Sequence, residues 1–389
     1  MSNIFHIIQI GLDVDVFNEN AAQDSRSRQI SYAQQFKKNN KNIHLTNIVL
    51  TQNRTLKVEE LEDVTFIPCP YYRLRHVVSL AIFLKKFNKD NKVLLITTQD
   101  IHGIFWGAIL FSRFAKVPVI GQIHYDLSSS YAREELFVNL YGRLYERTAL
   151  RLMLLFDGIR VVNSSTKKFL ETLGYKKPVC VCPVPVTSSS IDTIESNDRW
   201  KYPGALRVLF VGRFVRVKNL DCWIETAGIA VLENENIEFA MIGDGDEKER
   251  LEKHCEKIEL SDRIQFVGAL TPEQLVSWYA SADVLLLTSN HEGFGRVVVE
   301  AMNYNVVPVC RNVAGPKDII SHGIDGFLDE ANPESLANYL SELETNRDML
   351  QAMGNCARNT VNEKYLPEIL QKRWIDFLLS YVQQPLGAH

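Results

Sequence analysis

Five short apolar runs in the second half of the chain, LRVLFVG (206–212), IEFAMIG (237–243), IQFVG (264–268), VLLLTS (284–289) and VVPVC (306–310), each lead into a segment with helix-start signals. Near-continuous Val, Ile, Leu and Phe, without polar alternation, is what a strand looks like when both of its faces are covered. Repeated β-then-α order therefore predicts a parallel sheet sandwiched between helices. The first half repeats the pattern, with strand-like runs at IFHIIQI, IHLTNIVL, VTFIPC, VLLITT, VPVIGQIH, GIRVVN and PVCVCP. The fold class expected is α/β, doubly wound.

At 389 residues the chain exceeds what one hydrophobic core organises, so two domains are expected. Residues 187–204, TSSSIDTIESNDRWKYPG, lose apolar periodicity and gather Ser, Asp, Pro and Gly, as linkers do. The boundary is placed there: residues 1–195 form a first domain and 196–368 a second. The terminal amphipathic segment, within 369–389, follows the last strand signals.

Helix ends are legible in several places. Thr271, Pro272 and Gln274 spell a capping box and Asn332-Pro333 a second helix start, whereas Ser164 or Ser165 is expected to cap a helix that Gly174 closes.

Composition removes some classes of function. The longest apolar runs, such as VVSLAIFL, fall far short of the ~20 residues a bilayer-crossing helix needs, and MSNIFHIIQI reads as a first strand rather than a secretory leader. A cytoplasmic protein is expected. Seven scattered cysteines without Cys-x-x-Cys spacing point to reduced thiols rather than a disulfide framework or zinc site. Residues 1–195 carry 24 Lys and Arg against 18 Asp and Glu, so the first half is +6 and the second −10. No nucleic-acid partner is expected from such a split, but a basic half suits an anionic membrane surface.

Ligands of open parallel sheets bind beyond the carboxyl ends of the strands, so the loops there hold the chemistry. VGRFVRVKNL places Gly212 and Arg213 after a strand, with Lys218 at the following helix start, a setting for an anion. IGDGDEKERLE offers Gly243 and Gly245 for close backbone approach, and its Asp244-x-Asp246 pair suits a helix N-terminus better than a metal. In HEGFGRVVVEA, Glu292 stays on a glycine-rich loop while Glu300 lies about one turn into a helix that starts near Arg296. Glu300 is embedded in the apolar run VVVEAM, where a carboxylate requires a partner. NVAGPKDIISHGIDGFL adds a further turn into a short helix.

Residues 206–330 carry these motifs in an order that resembles the retaining glycosyltransferases of family 4, with their GT-B fold of two doubly wound Rossmann-like domains facing a central cleft. The resemblance implies a transferase that moves a hexosyl or N-acetylhexosaminyl group from a nucleotide sugar, UDP- or GDP-linked, to a saccharide acceptor. No cofactor or metal is implied. Glu292 would contact the donor sugar, Glu300 the ribose, and Arg213 and Lys218 the diphosphate. Gly212 and the amides of Phe294, Gly295 and Arg296 would assist at the phosphates, and Gly243 and Val267 would flank the base. In the first half, His124 at the end of VPVIGQIH would touch the sugar. Gly11 stands where the family has a Gly-Gly loop, a departure followed by the longer stretch GLDVDVFNENAAQDSRSRQ. The terminal helix around Trp374 would return to the first domain.

The resemblance favours front-face attack with retention; Glu292 as a covalent nucleophile is the alternative. Basic, Tyr-bearing amphipathic segments at 71–89 and 141–160 suggest a lipid-linked oligosaccharide, capsule or lipopolysaccharide precursor as acceptor, and peripheral contact with the inner face of the plasma membrane. Two rival functions remain, a nucleotide-sugar epimerase and a non-catalytic nucleotide-sugar-binding subunit.

Overall fold

The computed structural model describes residues 4–17, 24–39, 42–53, 55–70, 76–99, 106–129, 148–185 and 200–382. The expectations placed on 18–23, 71–75, 141–147 and most of the 187–204 linker therefore lie outside the described residues. The chain divides into a first unit, Met1–Val184 with Glu368–His389, and a second, Pro185–Pro367. The break falls at Val184, before the expected position after residue 195. Trp200, inside the polar run read as linker, is 4% exposed in the second unit's core, edge-on to Trp278 with its indole N–H donating to Ser281.

The first unit holds an eight-stranded sheet of β1 (Phe5–Gly11), β2 (Ile43–Thr51), β3 (Glu59–Glu60), β4 (Val64–Pro70), β5 (Lys92–Gln99), β6 (Val119–Ile123), β7 (Gly158–Val161) and β8 (Val179–Val181). Their spatial order is β3-β4-β2-β1-β5-β6-β7-β8. All neighbours pair in parallel except the two-residue β3, too short to leave an apolar signature in the sequence, which runs antiparallel to β4. Among its helices are α1 (Asp24–Asn39), α2 (His76–Asp90), α3 (Trp106–Ala115) and α4 (Ser164–Thr172). Asn163, not Ser164 or Ser165, caps α4, because its carboxamide already accepts from the Thr166 amide at 2.7 Å. Gly174 ends that helix at φ +85°, as its sequence position predicts.

The second unit holds a six-stranded, all-parallel sheet, β9 (Leu206–Val211), β10 (Ile237–Ile242), β11 (Ile264–Gly268), β12 (Val284–Leu287), β13 (Val307–Arg311) and β14 (Phe327–Asp329), in the order β11-β10-β9-β12-β13-β14. The helices are α5 (Leu220–Glu233), α6 (Lys248–Lys257), α7 (Pro272–Ser281), α8 (Arg296–Met302), α9 (Ala314–Ile319), α10 (Pro333–Thr345) and α11 (Arg347–Lys364). The capping box of α7 and the Asn332 cap of α10 are present as the sequence predicts. Chain order runs outward from β9 in one direction and from β12 in the other, so the sheet reverses between β9 and β12. A crevice opens at such a reversal because the two flanking crossovers depart to opposite faces.

The last helix, α12 (Pro367–Val382), belongs to the first unit. Its apolar stripe of Leu370, Trp374, Ile375 and Leu378 is buried in that unit's core beside Tyr32 and Phe36 of α1. Trp374 lies 4.8 Å beneath the buried Arg160 guanidinium, and Gln371 accepts from Ser31 at 2.8 Å.

Two histidines inside the first unit make its stability depend on pH. His6 bonds Thr46 at 3.0 Å and His44 bonds Thr65 at 2.8 Å. Burial first, and the neighbouring His44 second, push the His6 imidazole down to about 4; burial also lowers His44. The folded state thus holds fewer protons than the unfolded one between the ordinary histidine value and about 4. Stability from this source is complete above the ordinary value and declines as pH falls through that window. A melting series from neutral to mildly acidic pH is expected to show a falling melting temperature, with a shallower slope in His6→Gln.

Candidate active site

The site is built where the second sheet reverses. After β9 the chain alternates outward and inward: Arg213 is exposed, while Phe214 is fully buried with its ring 6.0 Å from Phe210 and 6.1 Å from Phe266. Burying that aromatic ring anchors the loop, and its neighbour is held in solvent as a consequence. The loop after β10 is laid directly on it. Phe214 N–H donates to Asp244 O at 2.8 Å and Glu247 N–H to Phe214 O at 3.0 Å. Only glycine fits at 243, where φ is +146° and a Cβ would stand 1.8 Å from the Gly212 carbonyl oxygen. Gly243 N–H in turn donates to Gly268 O at 2.9 Å, which ties in the end of β11 beside Val267. Gly212, Gly243 and Val267 thus share one rim. Asp244 accepts from the Gly245 amide at 2.8 Å, the local use expected of an acid at a loop end.

Across the reversal, the loop after β12 is fastened to the turn preceding α5. The buried Thr288 hydroxyl reaches the Lys218 and Asn219 carbonyls at 3.2 and 2.9 Å, and Asn290 N–H donates to Val217 O at 2.8 Å. Asn219 adopts the left-handed conformation, φ 50°, and turns the chain sharply into α5. This fastening brings Lys218 and Glu292 into an ion pair, with side chains 17% and 12% exposed. Ser289 donates to the same Glu292 oxygen at 2.9 Å. Glu292 is therefore not free on its loop, and Lys218 is not an isolated cation. Arg213 forms no ion pair among the described residues.

Glu300 acquires the partners that its apolar setting demands. Arg296 Nε donates to Oε1 at 2.7 Å and the Tyr279 hydroxyl to Oε2 at 2.9 Å. Gly295, φ +86°, precedes α8, and the Phe294 ring packs against Tyr365 at 5.8 Å. Gly315 in α9 has its N–H on the Glu292 carbonyl at 3.1 Å, and a Cβ there would meet Phe294 O at 2.3 Å, so α9 presses closely on the 292–295 loop. The sequence does not single out Tyr279, Ser289 or Thr288. Tyr279 reads as one more apolar position of an amphipathic helix, and the two hydroxyls as the end of a strand.

In the first unit, His124 follows β6 and Gly11 ends β1, so both lie at the carboxyl edge of that sheet. His124 Nδ1 is enclosed with no hydrogen-bond partner among the described residues. Burial, then the charges of Arg160 and Arg28, push its imidazole down to about 3, so it is neutral at any ordinary pH. A neutral ring with an unused nitrogen can accept or donate to a hydroxyl but cannot serve as a cation.

Among the described residues no group of three or more His, Cys, Asp or Glu is placed to hold a metal ion. A cavity of about 440 Å³ lined by Trp200, Lys201, Glu238 and Arg263 lies at the opposite, amino-terminal edge of the second sheet, away from these loops.

Residues 193–360 match the family described as glycosyl transferases group 1. Most of the second unit is thus similar to the group 1 glycosyl transferases. Its curated relatives include a 2-deoxystreptamine N-acetyl-D-glucosaminyltransferase of Niallia circulans, 25% identical over 178 residues, 46% of each chain. Another is a poly(ribitol-phosphate) alpha-N-acetylglucosaminyltransferase of Staphylococcus aureus, 27% identical over 44% of this chain and 34% of the relative. An uncharacterized glycosyltransferase of Methanocaldococcus jannaschii is 30% identical over 43% of each chain. The chain thus spans less than half the length of the curated relatives it matches. Solved structures extend the likeness in fold to nearly the whole chain. The lipopolysaccharide outer core galactosyltransferase WaaB has a TM-score of 0.70 at 18% identity, covering 96% of this chain and 99% of that one. HepE of Anabaena in complex with UDP has a TM-score of 0.69 at 15% identity over the same shares. The fold is that of the GT-B glycosyltransferases.

The backbone contact between the loops makes a strict demand on residue 243. Gly243→Ala puts a methyl inside the Gly212 carbonyl and strains a left-handed φ, so a loss of at least ~2 kcal/mol is expected in urea unfolding. The control is Gly204→Ala, which has a left-handed φ but open space around it, and should cost less.

Proposed function

We propose that the protein transfers a hexosyl or N-acetylhexosaminyl group from a nucleotide-sugar donor to a saccharide acceptor, with retention of configuration and without a metal. The observation that carries this reading is the group gathered at the reversal of the second sheet: Lys218 against Glu292, Arg213 held out by buried Phe214, and Glu300 one turn into α8. It is supported by the group 1 match over 193–360 and by relatives whose names describe transfer of N-acetylglucosamine.

The chemical task is to break the bond between the anomeric carbon and a diphosphate oxygen while negative charge gathers on that oxygen. Arg213 and Lys218 supply fixed positive charge where it develops. Removing one preorganised donor of this kind typically costs ~3 to 4 kcal/mol of barrier. The amides of Phe294, Gly295 and Arg296 add donors, and the glycines at 212 and 243 let the rim beside Val267 come close to the base. Glu300 accepts from the ribose hydroxyls and Glu292 from hydroxyls of the transferred sugar. The acceptor oxygen attacks on the face that the diphosphate leaves, and the departing phosphate takes its proton. In the first unit, neutral His124 contacts the sugar, and Gly11 keeps the end of β1 free of a side chain. We assign UDP or GDP as the nucleotide, and family 4 as the subdivision.

The acceptor proposed is a lipid-linked oligosaccharide or another cell-surface polysaccharide precursor, met at the inner face of the plasma membrane. No helix among the described residues is long and apolar enough to cross a membrane. Peripheral contact is supported by the outward apolar side chains of α2 and α3, Val78 (58% exposed), Ile82 (62%) and Phe114 (82%), beside Lys85, Lys86, Lys89 and Arg113.

Melting curves with UDP, GDP and ADP and their common sugars, with and without EDTA, test the donor. A ligand at ~100 times its dissociation constant adds about 2.7 kcal/mol. One nucleotide family is expected to stabilise, indifferently to EDTA and less in Lys218→Ala. Product analysis should show transfer rather than an epimerised donor, and no response to any nucleotide would remove the reading. Sedimentation with anionic vesicles tests the membrane contact: binding is expected to fall in Ile82→Ser/Phe114→Ser and with added salt, and to be absent on neutral vesicles.

A further inference from the structure

Tyr279 sits near the end of α7, 3% exposed, with its ring stacked 6.0 Å from Tyr304 and its hydroxyl on Glu300 Oε2 at 2.9 Å. A buried phenol must spend its O–H on a partner, and here that partner is the carboxylate of the neighbouring helix. Burial, and then the charge of Glu300, hold the phenol well above its usual range, so it remains a donor at any working pH.

The arrangement has a consequence for what Glu300 can accept. A carboxylate offers about four lone-pair positions over its two oxygens. Arg296 occupies one on Oε1 and Tyr279 one on Oε2. One position on each oxygen is left. Two acceptors spaced by one carboxyl width match the two hydroxyls of a vicinal cis-diol, provided that the carboxyl plane does not rotate. The two anchors differ in how firmly they can fix that plane. Arg296 is a long side chain, 48% exposed, that solvent can loosen, whereas Tyr279 is packed on all sides.

We propose that Tyr279 is a positioning residue which fixes the carboxyl plane of Glu300 for bidentate recognition of the nucleotide ribose, and so determines selectivity for ribo- over deoxyribonucleotides. The inference rests on the reading of Glu300 as the ribose contact.

The test compares UDP with 2′-deoxy-UDP, and GDP with 2′-deoxy-GDP, by calorimetric titration of the full-length protein. The wild type is expected to favour the ribonucleotide of its preferred base by roughly tenfold, the order set by hydrogen bonds to a charged group. Tyr279→Phe, which removes one oxygen and keeps the packing, should reduce that ratio to about threefold or less, raise the donor KM and leave kcat nearly unchanged. In a Glu300→Ala background the same substitution should change nothing further. A Tyr279→Phe protein that melts lower yet keeps the full ratio would overturn the proposal while leaving the ribose reading intact. Should that variant fail to fold, Arg296→Gln, at an exposed position, decides instead. Retention of most of the ratio with Tyr279 as sole anchor supports the proposal, and its complete loss overturns it. A wild type that binds both forms of every nucleotide equally removes the ribose reading itself, and the proposal with it.

Discussion

The second unit's chemistry depends on the fastening of two loops across the point where its sheet reverses. Thr288, fully buried, bonds the carbonyls of Lys218 and Asn219, and Asn290 bonds that of Val217. The turn before α5 has few backbone partners of its own, since its three-residue 3-10 helix ends in a left-handed Asn219. Donors from the neighbouring strand end satisfy carbonyls that would otherwise be orphaned in a partly buried place. The same contacts set Lys218 facing Glu292, so the position of the ion pair follows from backbone satisfaction rather than from attraction between the charges. Both side chains are largely sheltered, so the cost of taking the two charges out of water offsets much of their attraction.

How much of this was legible depended on what each residue contributes locally. Strands buried on both faces announce themselves as unbroken apolar runs, and caps such as Thr271 and Asn332 act within four residues, so both could be read directly. Trp200 could not, because its burial depends on Trp278 and Ser281, far away in the chain. Nor could β3, whose two glutamates pair only because β4 has an open edge. The choice between Asn163 and its serine neighbours turned on φ and ψ, which three adjacent capping residues leave undecided.

The site shows the same division. Glycines and charges after strands stood out, because few structural reasons exist for them there. A carboxylate inside VVVEAM signalled that a partner existed, but not which one. One partner is Arg296, a turn earlier on the same helix; the other is Tyr279, 21 residues earlier on another helix, where an aromatic among apolar residues has an ordinary core explanation. Sequence periodicity registers the burial of a tyrosine ring and is silent about its hydroxyl.

On the proposed reading, Lys218 has two claimants. Its ammonium is held by Glu292, itself held by Ser289, so neither charge stands unpaired in a partly dry crevice. A diphosphate carries more charge than one carboxylate and meets Arg213 as well, so it can draw Lys218 away. Glu292 is then left with a hydroxyl donor at Ser289 and vacant lone pairs, which the hydroxyls of a sugar can fill. The diphosphate and the sugar thus make separate demands on the two halves of one ion pair. A nucleotide without its sugar would free Glu292 and leave it without a replacement for the lost ammonium. That unmet demand favours the complete donor over its nucleotide fragment, and it arises from the pairing of Lys218 with Glu292 before any contact specific to one sugar is considered.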